Sequence, residues 1–181
     1  MKIGLIRHFK VKRGYPQKLV TGKDLMNWVE EYDQSEVEET ELDLGAVDWK
    51  RCYSSDLPRA KVTARKAFKE EIIYMKELRE IGLNPLIKMN IKLPLFIHLL
   101  LIRVAWLCNH KSQPETKAEV FKRISRTLDE ILKSDKDVLI VTHGGLMLFM
   151  RKELIKRGYT GPSFKRPENG NLYVFESNDR G

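Results

Sequence analysis

Short apolar runs alternate along the chain with longer segments whose apolar positions repeat at helical spacing. The runs are five or six residues long at most and rich in Ile, Val and Leu, which is typical of buried strands. They predict strands at residues 2–6, 51–54, 72–75, 137–142 and 171–176. The run at 137–142 is the clearest, because Val138-Leu139-Ile140-Val141 forms its centre.

Helical spacing predicts helices between these strands. Apolar residues at helical spacing occur at 25–32, and a second helix begins near Pro58, after cap-type residues. Further helices are expected over 117–133, with Val120, Ile124, Leu128, Ile131 and Leu132 on one stripe, and over 146–157. The acidic residues 36–43 contain too little apolar surface for a core and predict a solvated helix face or loop.

The alternation of strands and helices predicts an α/β fold with three layers, α/β/α, around a mainly parallel sheet. At 181 residues, the chain is long enough for one domain with its own core, so we expect a single domain over residues 1–181. Ligands of open α/β sheets bind at the carboxyl ends of the strands. That edge is therefore where we expect the functional residues.

Residues 93–108 form a strongly apolar segment within a variable lid or insert at about 84–112. Pro94, His98 and Arg103 interrupt it, and it is shorter than the roughly 20 residues that span a bilayer. Three interpretations stay open, namely a buried helix, a hydrophobic lid over the site and a surface for a homodimer; we rank the buried helix first. Lys88 and Lys92 beside it would also suit weak association with a membrane surface.

The formal net charge of +8 and the pI near 9.4 favour an anionic partner. Lysine and arginine are scattered without an aromatic-interleaved basic block, so we expect a phosphorylated small molecule as partner and no nucleic acid. Cys52 and Cys108 belong to no metal-ligand or disulfide pattern. The first seven residues do not form a signal peptide, and we expect a cytoplasmic protein.

Two histidines and two arginines stand where predicted strands end. Arg7-His8 follows the first strand, His143 follows the strand at 137–142, and Arg59 comes shortly after the strand at 51–54. Each one alone is more often a structural residue or a surface ion-pair partner. Gathered at one sheet edge, two cations and two imidazoles call for an anion, and the planar arginine fork suits phosphate oxygens.

Four blocks that contain these residues resemble, in the same order, the motifs of the histidine phosphatase superfamily, the phosphoglycerate-mutase-like group. The blocks are Leu5-Ile6-Arg7-His8, Ser54-Ser55-Asp56-Leu57-Pro58-Arg59-Ala60 with Thr63-Ala64, Leu78-Arg79-Glu80-Ile81, and Val141-Thr142-His143-Gly144-Gly145. The resemblance implies that His8 is the nucleophile that becomes phosphohistidine and that Arg7, Arg59 and His143 hold the phosphoryl oxygens. It implies that Glu80 protonates the leaving group, with Glu77 as the competing acid.

Neighbouring guanidinium groups favour neutral, nucleophilic His8, and Arg7, Arg59 and a protonated His143 could offset the charge of the transferring phosphoryl group. No metal and no cofactor is then required. A phosphatase acting on a phosphomonoester is the first expectation, because mutases of the group tend to be longer. A phosphoglycerate-mutase-type phosphotransferase is the alternative, followed by a non-catalytic phospholigand-binding module.

The chain departs from the family pattern in two places. Where the family usually has Gly-Glu and a small hydroxyl residue after its histidine, this chain has Phe9-Lys10-Val11-Lys12-Arg13. We expect Phe9 to narrow the space beside the nucleophile, with Lys10, Lys12 and Arg13 forming a substrate rim or simply facing solvent. After Ile81, Gly82-Leu83-Asn84-Pro85 replaces the family's usual aromatic and glycine, so the substrate of no better-known member can be carried over.

Overall fold

The computed structural model describes residues 1–82, 84–86 and 91–177. Its strands are β1 Lys2–Arg7, β2 Lys10–Val11, β3 Val37–Glu38, β4 Arg51–Ser55, β5 Ile72–Met75, β6 Val138–Thr142, β7 Tyr159–Thr160 and β8 Leu172–Ser177. Its helices are α1 Gly22–Gln34, α2 Pro58–Ala67, α3 Leu95–Leu107, α4 Lys117–Leu132 and α5 Gly144–Lys156, with a 3₁₀ turn at Lys76–Leu78. The five predicted strands and four predicted helices are all present, within a few residues of their expected ends.

Six strands form the main sheet in the order β5-β4-β6-β1-β8-β7. The four strands β5, β4, β6 and β1 are parallel, whereas β8 and β7 run antiparallel at one edge. In the register of the parallel strands, Ile140 of β6 lies between Leu5 of β1 and Tyr53 of β4. The predicted mainly parallel sheet is confirmed.

Helices cover both faces of this sheet. Side chains alternate between the faces of a strand, so Leu5 and Ile140 pack with the apolar stripes of α4 and α5 on one face. Ile6 and Val141 pack on the other face against the small residues of α2. Burial of both faces explains why β6 is apolar throughout. The arrangement is the expected three-layer α/β/α fold.

Gly4 allows a tryptophan to pack directly on the sheet. A Cβ at this position would lie 2.8 Å from the Trp49 ring and 2.8 Å from the side chains of Leu139 and Leu172. The Trp49 indole is buried there and donates its N–H to the Leu44 carbonyl. The loop between β3 and β4 is thus held against the sheet face that α2 also covers.

The interpretation of residues 93–108 as a buried helix is wrong. They do form a helix, α3, but Phe96, Leu100 and Leu107 are 67%, 56% and 58% exposed. The opposite side of α3 is buried through Ile102 and Trp106, because only that side faces the domain. The expected insert at 84–112 lies partly outside the described residues, as do Leu83 and Lys88 of the sequence arguments.

Within the acidic segment 36–43, Val37–Glu38 forms the short strand β3, which pairs antiparallel with β2; the rest is loop. Buried Val37 packs with Phe9 and Val11. This small apolar cluster explains why a strand forms here, although the acidic composition of the segment did not predict one. Among the described residues, no helix has both the length and the apolarity needed to cross a membrane.

Candidate active site

The fold brings the four predicted strand-end residues together. Arg7 lies opposite Thr142 in the β1–β6 register, so His8 and His143, the next residue of each strand, leave the sheet side by side. Their ring centroids are 5.1 Å apart. Arg59, in the first turn of α2, reaches the same place and donates from Nε to Nε2 of His8 across 3.3 Å.

His8 is held in the tautomer that a nucleophile requires. Its Nδ1–H donates to the Phe9 carbonyl over 2.6 Å, because a carbonyl can only accept, so Nε2 carries the lone pair. Burial, followed by the charge of Arg59, lowers the pKa of His8 from 6.5 to about 3; Arg7 adds to the effect, and the Phe9 hydrogen bond opposes it. His8 is therefore neutral near pH 7, as the sequence predicted.

His143 is also neutral, which differs from the expectation that it is protonated. Burial and then the charge of Arg59 lower its pKa well below the usual value, with smaller contributions from His8 and Arg7. Its Nε2 lies 2.8 Å from Oγ of Ser55. Oγ also accepts the Leu57 N–H and can donate its own hydrogen to Nε2, and in that arrangement the His143 hydrogen is on Nδ1.

Two buried side-chain nitrogens in the described part of the chain have no hydrogen-bond partner, and both belong to this cluster. They are Nε of Arg7 and Nδ1 of His143. Buried polar nitrogens without a partner are costly, and two of them in one cluster suit a ligand that brings its own hydrogen-bonding oxygens. Arg7 is held in position by donating from Nη1 to the Pro167 carbonyl over 2.9 Å.

Glu80 lies at the same sheet edge and is bound to the first turn of α5. Its Oε2 accepts from the Gly145 N–H at 3.0 Å, and its Oε1 accepts from Leu146 at 2.9 Å and from Ile81 at 3.0 Å. A Cβ on Gly145 would lie 2.7 Å from Oε1, so glycine provides the space for the carboxylate. The helix end thus positions Glu80 through its free N–H groups.

A cavity of about 470 Å³ borders Arg7, His8, Arg59 and Glu80. His143 is 0% exposed, so a ligand oxygen reaches its Nδ1 only after neighbouring side chains have moved. The arrangement offers a neutral imidazole with a lone pair, two guanidinium groups and a carboxyl group beside one cavity. Such a set suits nucleophilic attack on a phosphoryl group.

The sequence model of the histidine phosphatase superfamily (branch 1) matches residues 29–181. The chain belongs to the histidine phosphatase superfamily. The match does not include Arg7 and His8, whose assignment rests on the sequence motif and on the geometry above. Among curated proteins, none is significantly similar to the chain in sequence.

Solved histidine phosphatase structures share the fold at low sequence identity. The α-ribazole phosphatase of Shigella flexneri is 20% identical with a TM-score of 0.60, over 99% of this chain and 92% of that one. A mycobacterial glucosyl-3-phosphoglycerate phosphatase is 21% identical with a TM-score of 0.54, over 86% and 79%. A phosphoserine phosphatase of Entamoeba histolytica, in complex with 3-phosphoglyceric acid, is 19% identical with a TM-score of 0.52, over 86% and 80%.

The residues that follow His8 in this member of the histidine phosphatase superfamily do not lie where we expected. Phe9 does not narrow the space beside His8, since its ring is buried in the cluster with Val11 and Val37. Lys10, Lys12 and Arg13 do not line the cavity, and each pairs with a glutamate at the surface. Their contact with a substrate stays a prediction.

Of the two candidate acids, Glu80 borders the cavity and Glu77 does not. Glu77 is exposed in the 3₁₀ turn, where its backbone carbonyl accepts from Arg123. Over the described residues, no group of three or more His, Cys, Asp or Glu side chains could hold a metal ion. Catalysis without a metal or cofactor stays a prediction.

Three residues that the sequence analysis did not assign also support the site. Asp33 accepts from Nη1 of Arg59 at 2.6 Å, and Asn169 donates from Nδ2 to the His8 carbonyl at 2.7 Å. Thr63 accepts the Phe9 N–H and donates to the Arg59 carbonyl. Of these three, Thr63 stands in the quoted motif, whereas Asp33 and Asn169 carry no local signal and are placed by the fold alone.

Proposed function

We propose that the chain is a phosphatase that hydrolyses a phosphomonoester through a phosphohistidine on His8, without a metal. The observation that carries the proposal is the state of His8, a buried neutral imidazole whose Nε2 lone pair meets a guanidinium at the cavity. Nδ1–H is engaged by the Phe9 carbonyl, so the only lone pair of the ring is the one that faces Arg59. A catalytic histidine nucleophile needs this arrangement.

In the first step, Nε2 of His8 attacks phosphorus and the bond to the ester oxygen breaks. Arg59 transfers its Nε hydrogen bond from His8 to a phosphoryl oxygen, and Arg7 supplies its unpaired Nε. His143 donates from Nδ1 once the side chains have separated. Fixed donors of this kind stabilise the charge on the three equatorial oxygens of the transition state.

Glu80 gives its proton to the departing oxygen in that step. Two of the three N–H groups that hold the carboxyl group go to Oε1, so Oε2 keeps a free position for the proton. In the second step a water molecule attacks phosphorus, the N–P bond breaks, and the carboxylate takes up the proton of the water. Inorganic phosphate is released, and His8 returns to its neutral form.

The test is phosphate release from p-nitrophenyl phosphate in the presence of a chelator. The proposal expects activity in the wild type, loss of at least about 10³-fold in His8→Ala, and little change in His110→Ala, which alters an exposed histidine. Alkaline quenching followed by mass spectrometry should locate phosphate on His8. Activity that survives His8→Ala, or that the chelator abolishes, contradicts the proposal.

A second assay addresses the mutase alternative. The protein is incubated with 3-phosphoglycerate and 2,3-bisphosphoglycerate, and both isomerisation and phosphate release are followed. Isomerisation without phosphate release overturns the phosphatase assignment while leaving His8 as the nucleophile. Phosphate release without isomerisation supports it.

A further inference from the structure

We infer that the site selects phosphomonoesters of apolar or aromatic alcohols over those of sugars and other polyols. The inference rests on the proposed function, since it concerns the alcohol that leaves when His8 takes the phosphoryl group. It comes from the walls of the cavity, from the pairing of the charged groups in it, and from a second cavity that adjoins Glu80.

Outside the phosphate-binding residues, the walls of the catalytic cavity are largely apolar. Branched and straight aliphatic side chains from α1, from the loop after Glu80 and from α3 contribute to them, namely Leu25, Met26, Val29, Ile81, Leu99 and Ile102. The exposed helix α3 thus forms part of the cavity wall on its inner side. An alcohol bound between these walls loses water and gains contacts only where its own surface is apolar.

An aromatic row extends from Arg59 along the same cavity. The Arg59 guanidinium lies 5.3 Å from the Tyr32 ring centroid, and Trp28 follows at 5.2 Å from Tyr32. Tyr15 then stacks on Trp28 at 5.3 Å with an interplanar angle of 28°. The Trp28 N–H donates to the Gly14 carbonyl, which ties the loop of Tyr15 to α1. Ring faces of this kind favour a planar or hydrocarbon group next to the phosphate.

The remaining charged groups of the cavity are already paired. Asp33 binds Arg59, and Arg79 donates two hydrogen bonds of 2.6 Å to Asp56. A sugar would have to bury hydroxyl groups beside the aliphatic walls, whose side chains offer no hydrogen-bonding atoms; the Tyr15 and Tyr32 hydroxyls and the paired Trp28 N–H are the polar side-chain atoms of the aromatic row. Burying hydroxyl groups without partners opposes binding, so the cavity discriminates against polyols.

A second cavity, of about 540 Å³, adjoins the first. The two share Glu80, Ile81 and Leu99 as lining residues. The rest of the second cavity is lined mainly by apolar side chains, among them Trp106 and Phe149, whose rings meet edge to face at 5.6 Å, together with the charged side chain of Arg103. Glu80 contacts the leaving oxygen in the proposed mechanism, so the alcohol begins at the border between the two cavities. There is room on both sides of that border for a chain or ring of several carbons.

The first experiment measures kcat/KM for ethyl, butyl and hexyl phosphate, for 3-phenylpropyl phosphate and for glucose 6-phosphate. The straight-chain alcohols are leaving groups of nearly equal basicity, so differences among them report on binding. Each buried methylene should raise kcat/KM by about fourfold, so hexyl phosphate should exceed ethyl phosphate by up to about 10²-fold. Glucose 6-phosphate should be the poorest substrate and 3-phenylpropyl phosphate among the best.

The second experiment uses a matched pair of variants on α3. Leu99 lines both cavities and is 44% exposed, whereas Leu107 lines neither and is 58% exposed. Leu99→Gln should lower the ratio of hexyl to ethyl phosphate activity by about fivefold, since an amide replaces apolar wall. Leu107→Gln should leave the ratio unchanged, and Tyr15→Ser should selectively reduce 3-phenylpropyl phosphate turnover.

The outcomes separate this inference from the proposed function. If p-nitrophenyl phosphate is hydrolysed in a His8-dependent way but the alkyl series is flat, or glucose 6-phosphate is preferred, the inference is overturned and the phosphatase stands. A ratio that falls equally in Leu99→Gln and Leu107→Gln also overturns it. If no phosphomonoester is hydrolysed, the proposed function itself fails.

Discussion

Arg59 and His8 share one hydrogen bond, in which Nε of the arginine donates to the lone pair on Nε2 of the histidine. The contact spans 3.3 Å between two side chains that are 4% and 3% exposed. Because the donor is cationic, it disfavours protonation of His8, and a phosphoryl oxygen can accept the same N–H when substrate binds. In the proposed mechanism, the pair therefore links the neutral state of His8 to phosphate binding.

Asp33 competes with phosphate for Arg59. Its carboxylate lies 2.6 Å from Nη1 of the arginine and borders the same cavity, so it both occupies a donor and repels an anion. Asp33→Asn should lower the inhibition constant of inorganic phosphate by about fivefold. The measurement is competitive inhibition of p-nitrophenyl phosphate hydrolysis.

Glu31→Gln serves as the control for Asp33→Asn. Glu31 is on the same helix and also pairs with an arginine, Arg13, but neither residue lines the cavity. It should leave phosphate inhibition unchanged. Weaker phosphate inhibition in Asp33→Asn would show that Asp33 orients Arg59 rather than competing for it.

The buried state of His8 makes stability depend on pH. Its folded-state pKa of about 3 lies below the ordinary 6.5, so the unfolded chain binds the proton more readily. The free energy of unfolding is then highest above about pH 6.5 and decreases as the pH falls towards 3. From pH 7 to pH 5, His8 alone should account for a loss of about 2 kcal/mol.

Urea unfolding at both pH values checks this dependence, with His8→Asn as the comparison. The variant removes one buried imidazole, so its loss of stability between pH 7 and pH 5 should be smaller by about 2 kcal/mol. His143, whose pKa is lowered in the same direction, continues to contribute. Equal losses in the two proteins would mean that His8 is not buried in its neutral form.

Glu80→Gln separates the acid from the nucleophile. Alkyl phosphates need a proton on the departing oxygen, so their hydrolysis should fall by about 10²-fold or more. p-Nitrophenyl phosphate, whose leaving group is a good one, should lose much less in the phosphohistidine-forming step. The measurement is the single-turnover rate of wild type and variant on both substrates, because this rate isolates the phosphohistidine-forming step.

Glu77→Gln is the matched control, three residues earlier and exposed. It should leave both rates unchanged. If Glu77→Gln instead produced the larger loss on alkyl phosphates, the acid would have to be reassigned.

Gly145→Ala should impair the position of Glu80 without unfolding α5. The new Cβ would lie 2.7 Å from Oε1, which forces the carboxylate from its N–H donors. Alanine is the better helix former, and this gain offsets part of the loss of the hydrogen bonds that Glu80 accepts from Ile81, Gly145 and Leu146, so thermal stability should change little. The expected result is an approximately tenfold lower kcat on alkyl phosphates with a Tm that changes little.

Gly14→Ala provides the comparison for Gly145→Ala, because a Cβ there meets nothing within 4 Å. It should preserve kcat. Full activity in Gly145→Ala would show that Glu80 works equally well from a different position.

The sequence by itself determined the layered fold and which polar side chains gather at the edge of its sheet. Apolar runs with helical segments between them leave few arrangements for β1, β4 and β6, and strand-end polar residues must then meet at one edge. Arg7, His8, Arg59 and His143 could be predicted for this reason. Glu80 came from the resemblance of its motif, since no periodicity singles out one glutamate near another.

Only the tertiary structure decided how these residues are surrounded. The direction of the Phe9 side chain depends on packing with Val37, a residue far away along the chain. The sequence therefore predicted wrongly that the Phe9 ring lies beside His8. The half-exposed state of α3 depends on which of its faces meets the domain, and a helix with apolar residues on every side carries little signal of that choice. The neutral state of His143 likewise results from burial and neighbouring charge, which are properties of the folded chain.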